Sequence, residues 1–316
     1  MCNNETEINE SLENYGVAIV PNILNDQECE NLYQGMFDSL AHITKDTENP
    51  IIKEDPTTWK HFKKLFPSHS MLIQHWKMGH IQSVWDIRQN PKIVDVFSKI
   101  YQQPQENMLV SFDGVSFQFP PEIVNFGWLR KSWFHSDQSF TRPNKECIQG
   151  WVTAKDVNVG DATLSFFEGS HKFHKQFAET FSMTDKKDWC ILKTKEQHTF
   201  YESKCEEKRI SCPKGSLVLW DSRTIHCGTE PFQKRENPNF RCVVYVCYQP
   251  RSLSTETQLA KKRMAFNNLR MTNHYPCKIK LLGKNPNTYG PGRLPINISD
   301  IPPPVLTDLG KKLAGF

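Results

Sequence analysis

The sequence predicts a mainly β fold with flanking helices, built on a double-sheet jelly roll. Short β-rich runs follow one another at 108–118, 131–135, 147–157, 162–168, 189–194, 207–212, 216–221 and 240–248. Turn signals separate them, with Pro213-Lys214-Gly215-Ser216 the strongest and Gly160-Asp161 another. Runs of this length and spacing belong to a sandwich or barrel, and about eight strands suit a jelly roll. On either side of this block the texture is helical. With 316 residues, 38% of them hydrophobic, the chain can bury a sizeable core.

Taken in order, Glu13-Asn14-Tyr15-Gly16-Val17-Ala18-Ile19-Val20-Pro21 reads as a short strand closed by proline. Asn25 or Asp26 can cap a following helix, whose apolar positions Leu32, Met36, Phe37 and Leu40 keep helical spacing. The chain therefore opens as strand, turn, helix. Residues 41–105 carry Trp59, Phe62, Phe66, Trp76 and Trp85 among charges, and read as helices and loops packed on one side of the β block. His42, His61, His69, His75 and His80 fall there without a partner at ligand spacing, apart from the loose pair His75 and His80, so they read as surface or packing residues. Ser254-Thr255-Glu256-Thr257 looks like a helix start, and 256–270 carries alternating charge. The tail 283–304, rich in Gly and Pro and including Pro302-Pro303-Pro304, is expected to wrap the surface in extended form. No repeat or linker divides the chain. Residues 1–316 read as one domain: a strand-helix and helical region over 8–105, a core over 107–250, and a helix with an extended tail over 251–316.

The charge balance excludes little. A net charge of +4 from 39 Lys and Arg against 35 Asp and Glu gives no electrostatic reason to expect nucleic acid. The run Lys261-Lys262-Arg263 reads as a solvated helix face rather than a binding patch. Ten cysteines are scattered without a Cys-x-x-Cys pair. Cys242 and Cys247, an odd number of residues apart, would point to opposite faces of one strand. A thioredoxin or zinc-ribbon reading fails on this spacing, and free thiols fit a reducing compartment. The N-terminus is polar and acidic, unlike a signal peptide, and no apolar run reaches membrane-spanning length. Asn-x-Ser/Thr triplets at Asn4, Asn9 and Asn297 carry no weight without secretion. The expectation is a soluble, intracellular, cytoplasmic protein.

The chemistry lies in His135-Ser136-Asp137, answered 91 residues later by His226. Residues i and i+2 of a strand face one way, so His135 and Asp137 can offer two ligands together. A third from a distant strand completes the two-histidine, one-carboxylate set of non-haem iron(II) oxygenases, which leaves positions open on the metal. Both histidines lie beside apolar runs, Trp133-Phe134 before the first and Leu217-Val218-Leu219-Trp220 upstream of the second. Arg241 follows His226 by 15 residues at the head of the apolar run 242–248. Its planar fork suits a dicarboxylate co-substrate. These four residues point to oxygen activation on ferrous iron with 2-oxoglutarate as electron source.

Other patterns in the sequence are weaker. His171-x-x-His174 has the spacing of one helical face but lacks a third ligand and follows the loop residues Gly169-Ser170. Asp156 and Asp161 read as turn or cap residues. A serine hydrolase has no Gly-x-Ser-x-Gly to stand on. Two classes stay open beside the oxygenase: a non-catalytic jelly-roll binding protein, and a cupin-like enzyme using zinc or manganese, which would not need Arg241.

Several blocks in order resemble the phytanoyl-CoA dioxygenase family of iron(II)/2-oxoglutarate oxygenases. They are the Tyr15–Leu24 opening, His135-Ser136-Asp137, Trp151-Val152-Thr153-Ala154, Ala162 to Lys172 with its Gly169-Ser170-His171 turn, and Lys214-Gly215-Ser216-Leu217-Val218-Leu219-Trp220 with Ile225-His226 and then Arg241. The resemblance covers roughly 12–250. It implies a double-stranded β-helix, and Fe(II) held by His135, Asp137 and His226. It also implies 2-oxoglutarate bound through Arg241, with O2 consumed and ascorbate supporting activity. It places Trp151 near the co-substrate and makes His171 a structural turn residue. The family's Asn-Gly and Pro-Gly-Ser-His appear here as Asp161-Ala162 and Glu168-Gly169-Ser170-His171. The small hydroxyl residue usual at plus two from the second His is replaced by Gly228, so Thr229 at plus three becomes the candidate contact. Related halogenases lack the carboxylate that Asp137 supplies, so hydroxylation or another oxidation is expected. The substrate class stays open between a small molecule and an acyl compound. Lys63, Lys64, Trp128, Arg130 and Lys131 are candidates for the pocket mouth or ordinary surface residues. Tyr275-Pro276 and Asn287-Thr288-Tyr289-Gly290 receive no role.

Overall fold

The computed structural model describes residues 1–65, 71–128, 132–233, 235–283, 296, 298 and 300–316. Phe66, His69, Arg130, Lys131, Asn297 and the stretch Asn287–Gly290 lie outside these residues.

Helices α1 (Glu5–Tyr15), α2 (Asp26–Thr44), α3 (Gln82–Arg88) and α4 (Pro91–Tyr101) precede most of the sheet. Strand β1 (Val17–Val20) lies between α1 and α2, and β2 (Leu72–Ile73) before α3. Strands β3 (Met108–Val110) and β4 (Val115–Gln118), helix α5 (Pro121–Val124), and strands β5 (His135–Ser136), β6 (Ile148–Thr153) and β7 (Thr163–Phe167) follow. Then come α6 (His174–Thr180), β8 (Cys190–Ile191), α7 (Lys195–Glu202), β9 (Glu207–Arg209), β10 (Leu217–Asp221), β11 (His226–Thr229) and β12 (Arg241–Pro250), with α8 (Glu256–Asn267) and α9 (Asp308–Ala314) last.

The strands form two antiparallel sheets. One runs β1-β10-β6-β12-β4-β2, with β3 also on β12, and the other runs β8-β5-β11-β7-β9. Their inner faces meet through Trp151, Val218, Trp220 and Val243 from the first sheet and Leu164 and Phe166 from the second. This is the double-sheet jelly roll. The outer face of the larger sheet packs Val152, Leu219 and Val244 against Leu32, Met36 and Phe37 of α2. The outer face of the smaller sheet packs Phe167 and Cys227 against Phe177 and Tyr201 of α6 and α7. Period-two alternation thus sends each strand's odd and even residues to different cores.

Local chemistry explains the flanks. Asn25 and Glu28 form a reciprocal capping box at α2. Gly16 ends α1 in the left-handed region, and a Cβ there would lie 2.5 Å from both His171 Nδ1 and Thr224 Oγ1. Helix α1 itself was not foreseen. It buries only Ile8 and Leu12, a stripe too narrow to register as amphipathic. Residues 13–15 belong to it and not to the strand. The run 108–118 is two strands, and β11 lay outside the foreseen runs. Its sequence His-Cys-Gly-Thr has no strand propensity to speak of. Pairing with β5 on one side and β7 on the other holds it, so tertiary context overrides propensity. Lys262 corrects the solvated-face reading of the basic run: it is 1% exposed and donates to the Val110 and Pro276 carbonyls. All ten cysteines are free, and Cys242 and Cys247 do face different cores. Residues 301–306 of the tail form no helix or strand, and Val305 N donates to Gln82.

His80 is completely buried, its Nε2 3.0 Å from the Arg270 carbonyl and its Nδ1 accepting from Trp85. Burial pushes its imidazole down to about 3 from 6.5. Between those values the unfolded chain binds a proton that the folded chain refuses, so stability present above pH 6.5 is lost as pH falls, by about 2 kcal/mol at pH 5. His80→Gln keeps a donor and an acceptor without titrating. Its loss of stability from pH 7.5 to 5, followed by urea unfolding, should be smaller than wild type by about that amount.

Candidate metal centre

His135 and His226 are directly opposed residues of β5 and β11. Opposed residues of an antiparallel pair share a face at close range, and the two imidazole centroids are 4.4 Å apart. Asp137, two residues past His135, turns its carboxylate between them. Oδ1 lies 3.3 Å from His135 Nε2, and Oδ2 3.3 Å from His226 Nε2. One ligand atom from each residue falls within 4.8 Å of the others, the spread of a coordination shell. Both histidines are only 4% exposed.

The outer nitrogens set the tautomers. His135 Nδ1 donates to the Trp133 carbonyl at 3.3 Å and His226 Nδ1 to the Thr224 carbonyl at 2.9 Å. Each Nε2 is thereby left with its lone pair turned inward, as a metal ligand requires. Gln149, on β6 of the other sheet, donates Nε2 to Asp137 Oδ2 at 2.7 Å. Trp133 lies parallel to His135, with centroids 4.7 Å apart and planes 4° apart. Burial pushes the His135 imidazole down, and the neighbouring His226 adds to this, which keeps it neutral. Burial alone would raise Asp137, but the nearness of His226 and His135 prevails and holds its carboxyl well below the usual range. Two imidazoles and one carboxylate on a single face form a donor set for a divalent transition metal with positions to spare.

Across the barrel Arg241 opens β12, 4% exposed. Its Nε donates to Ser116 Oγ at 2.9 Å, one terminal nitrogen to the Ala162 carbonyl at 3.1 Å, and the other to Tyr245 OH at 3.3 Å. The guanidinium stands 5.6 Å from the Trp151 ring centroid. Among the described residues no carboxylate pairs with it. A buried cation without a counter-charge is costly, so the surroundings fit an anionic ligand. Trp151 Nε1 and Gln118 Oε1, also on the inner face, are buried without a partner among the described residues. Arg235, the other arginine in this stretch, is already spent: it pairs with both Glu122 and Asp161.

One expected contact resolves differently, and the two other candidate histidines keep structural roles. Thr229 lies on the wrong face. Its hydroxyl donates to Ser165 at 2.7 Å and sits 3.4 Å from Cys227 Sγ, whereas the residue sharing His226's face is Gly228. The hydroxyls at Arg241 are those of Ser116 and Tyr245, which the sequence reading missed. His171 Nε2 donates to the Glu13 carbonyl at 3.0 Å and holds α1. His174 Nε2 lies 3.2 Å from the Ser139 carbonyl, and neither histidine joins the triad.

Residues 12–231 match the phytanoyl-CoA dioxygenase family. The chain belongs to that family. The matched stretch holds His135, Asp137 and His226 and ends ten residues before Arg241. A relative from Aspergillus versicolor, named Ava biosynthesis cluster protein O, is 26% identical over 273 residues, 83% of each chain. Solved structures share the fold. The epimerase SnoN, crystallised with Fe3+, alpha-ketoglutarate and nogalamycin RO, matches 78% of this chain and 83% of its own at 14% identity, with a TM-score of 0.50. JW0805 from Escherichia coli matches 98% of this chain and 82% of its own at 13% identity, with a TM-score of 0.58. Family membership supports a dioxygenase-type function. Among the described residues no helix is long and apolar enough to cross a membrane.

Proposed function

We propose that the chain is an Fe(II)- and 2-oxoglutarate-dependent dioxygenase that hydroxylates a small-molecule or acyl substrate. The observation that carries this reading is the pairing of a buried His-Asp-His cluster with a buried arginine that has no acid partner among the described residues. Iron with 2-oxoglutarate and O2 supplies the oxidation when bound, with release of succinate and CO2. His135, Asp137 and His226 hold the metal. Arg241 takes the distal carboxylate of 2-oxoglutarate through its fork, with Ser116 and Tyr245 fixing the guanidinium. Trp151 lies under that guanidinium, and its free Nε1–H can donate to the same ligand. The jelly-roll interior, walled by Leu164, Phe166, Val218 and Val243, excludes water around these groups.

The test is succinate release by purified protein given iron(II), ascorbate, oxygen and 2-oxoglutarate, with Asp137→Ala as control. Turnover in the wild type alone bears the reading out. Absence of both turnover and iron-dependent 2-oxoglutarate binding overturns it. Gln149 gives a finer check, because its amide reaches Asp137 from the larger sheet. Gln149→Leu should weaken iron binding by about ten- to a hundredfold, the usual effect of losing an outer partner of a ligand, read by chelator competition.

A further inference from the structure

We propose that Trp189 is the substrate platform of this centre: its indole, inclined against that of Trp133, takes up the face of an uncharged planar ring, aromatic or conjugated, beside the metal ligands. The inference rests on the oxygenase reading above and adds a substrate class to it.

The ladder places the residue. Ile191 opposes His135 and Cys190 opposes Ser136, so the next position on β8's side is Trp189 across from Asp137, and its N–H donates to the Asp137 carbonyl at 3.2 Å. Its backbone sits in the left-handed region, at φ 64, where bulky residues are rare. Such strain persists only where the surroundings over-determine it, and it gathers at ligand sites. The surroundings here do so. Asp188 accepts from the Ser139 N–H at 3.3 Å and from Arg142. Arg142 is braced by Glu146 at 2.8 Å, which in turn accepts from Tyr275 OH at 3.2 Å. The backbone before and at Trp189 is thus fastened to both sides of the ligand-bearing turn.

The indole is placed quite differently. It is 52% exposed, although a tryptophan serving the core would be buried. Its ring neighbours are Trp133, at 6.4 Å and 53°, and His135, at 6.0 Å and 56°. Trp133 is locked, with Nε1 donating to the Gly228 carbonyl at 3.1 Å and its plane parallel to His135. One fixed and one exposed indole therefore stand at an angle next to the metal ligands. The charged side chains that fasten the loop, Asp188, Arg142 and Glu146, are bonded to one another, so recognition at the indoles falls to the ring faces. Inclined π-systems favour a third flat ring over an aliphatic body of equal size.

The experiment uses the full chain loaded with Mn(II) and 2-oxoglutarate, and follows paramagnetic relaxation of the protons of 2-naphthol, with cyclohexanol as the non-planar probe. Bound Mn(II) is counted separately by electron paramagnetic resonance. Wild type should relax 2-naphthol strongly and cyclohexanol weakly. Trp189→Ala should weaken 2-naphthol binding about three- to tenfold, the range for losing one stacked ring, with Trp189→Phe close to wild type. Should the alanine variant fail to fold, Trp189→Leu keeps the bulk, removes the π face and should show the same loss. Equal relaxation by wild type and variant, equal relaxation of both probes, or Mn(II)-loaded wild type that leaves 2-naphthol unrelaxed overturns the platform and spares the metal centre. Wild type that binds no Mn(II) removes the oxygenase reading, and the platform with it.

Discussion

Asp137→Ala should yield a folded protein that releases no succinate and holds iron more than about a hundredfold less tightly, since it removes a direct ligand and outer partners alone are worth up to that factor. The carboxylate does two things at once. It offers the one charged donor among three, and it orders both imidazoles, each 3.3 Å from one of its oxygens. Alanine leaves His135 and His226 facing each other at 4.4 Å between centroids with no anion to offset a divalent metal. The backbone has little reason to change, because Asp137's carbonyl bond to Trp189 survives the substitution. Circular dichroism should therefore match wild type while iron content and succinate release collapse. A variant that kept wild-type succinate release would remove Asp137 from the ligand set.

Arg241→Lys should raise the 2-oxoglutarate requirement by about 10- to 100-fold, as expected when charge-assisted, two-pronged hydrogen bonds shrink to one ammonium contact. Lysine keeps the charge but cannot reach Ser116, Ala162 and Tyr245 together as the guanidinium does. Iron binding should stay near wild type, which separates this variant from Asp137→Ala. The measurement is succinate release against 2-oxoglutarate concentration, and an unchanged half-saturation point would deny Arg241 its role. Arg235 offers no substitute, since Glu122 and Asp161 already neutralise it.

Much of the centre was legible because it obeys strand periodicity. His135 and Asp137 are two residues apart, and so share a face. Arg241 and Tyr245 have equal parity on β12, so the tyrosine at the arginine was within reach of the same rule. Thr229 breaks it: an odd offset from His226 turns it to the helix-packed side with Cys227. Ser116 and Gln149 were not legible. Their places depend on register, Val243 against Ser116 and Cys247 against Gln149, which no local pattern encodes. For the fold, short β-rich runs announced β6, β10 and β12. Strand β11 is four residues with a glycine and exists through its two neighbours. The half-exposed Trp189 carried no signal at all, because what distinguishes it is a backbone angle and a neighbour 54 positions earlier in the chain, His135.

The opposition of His135 to His226 also sets a clock. The two histidines are 91 residues apart in sequence, and the two-residue β5 offers only His135 to the pairing. Closing so long a loop is slow and entropically unfavourable, and is repaid only once the neighbouring strands are in place. A nascent chain that has not yet emerged past residue 226 owns two of the three donors and none of the geometry. Metal capture by all three residues must then wait for that pairing, and an ion so held certifies that β5 and β11 have met in register.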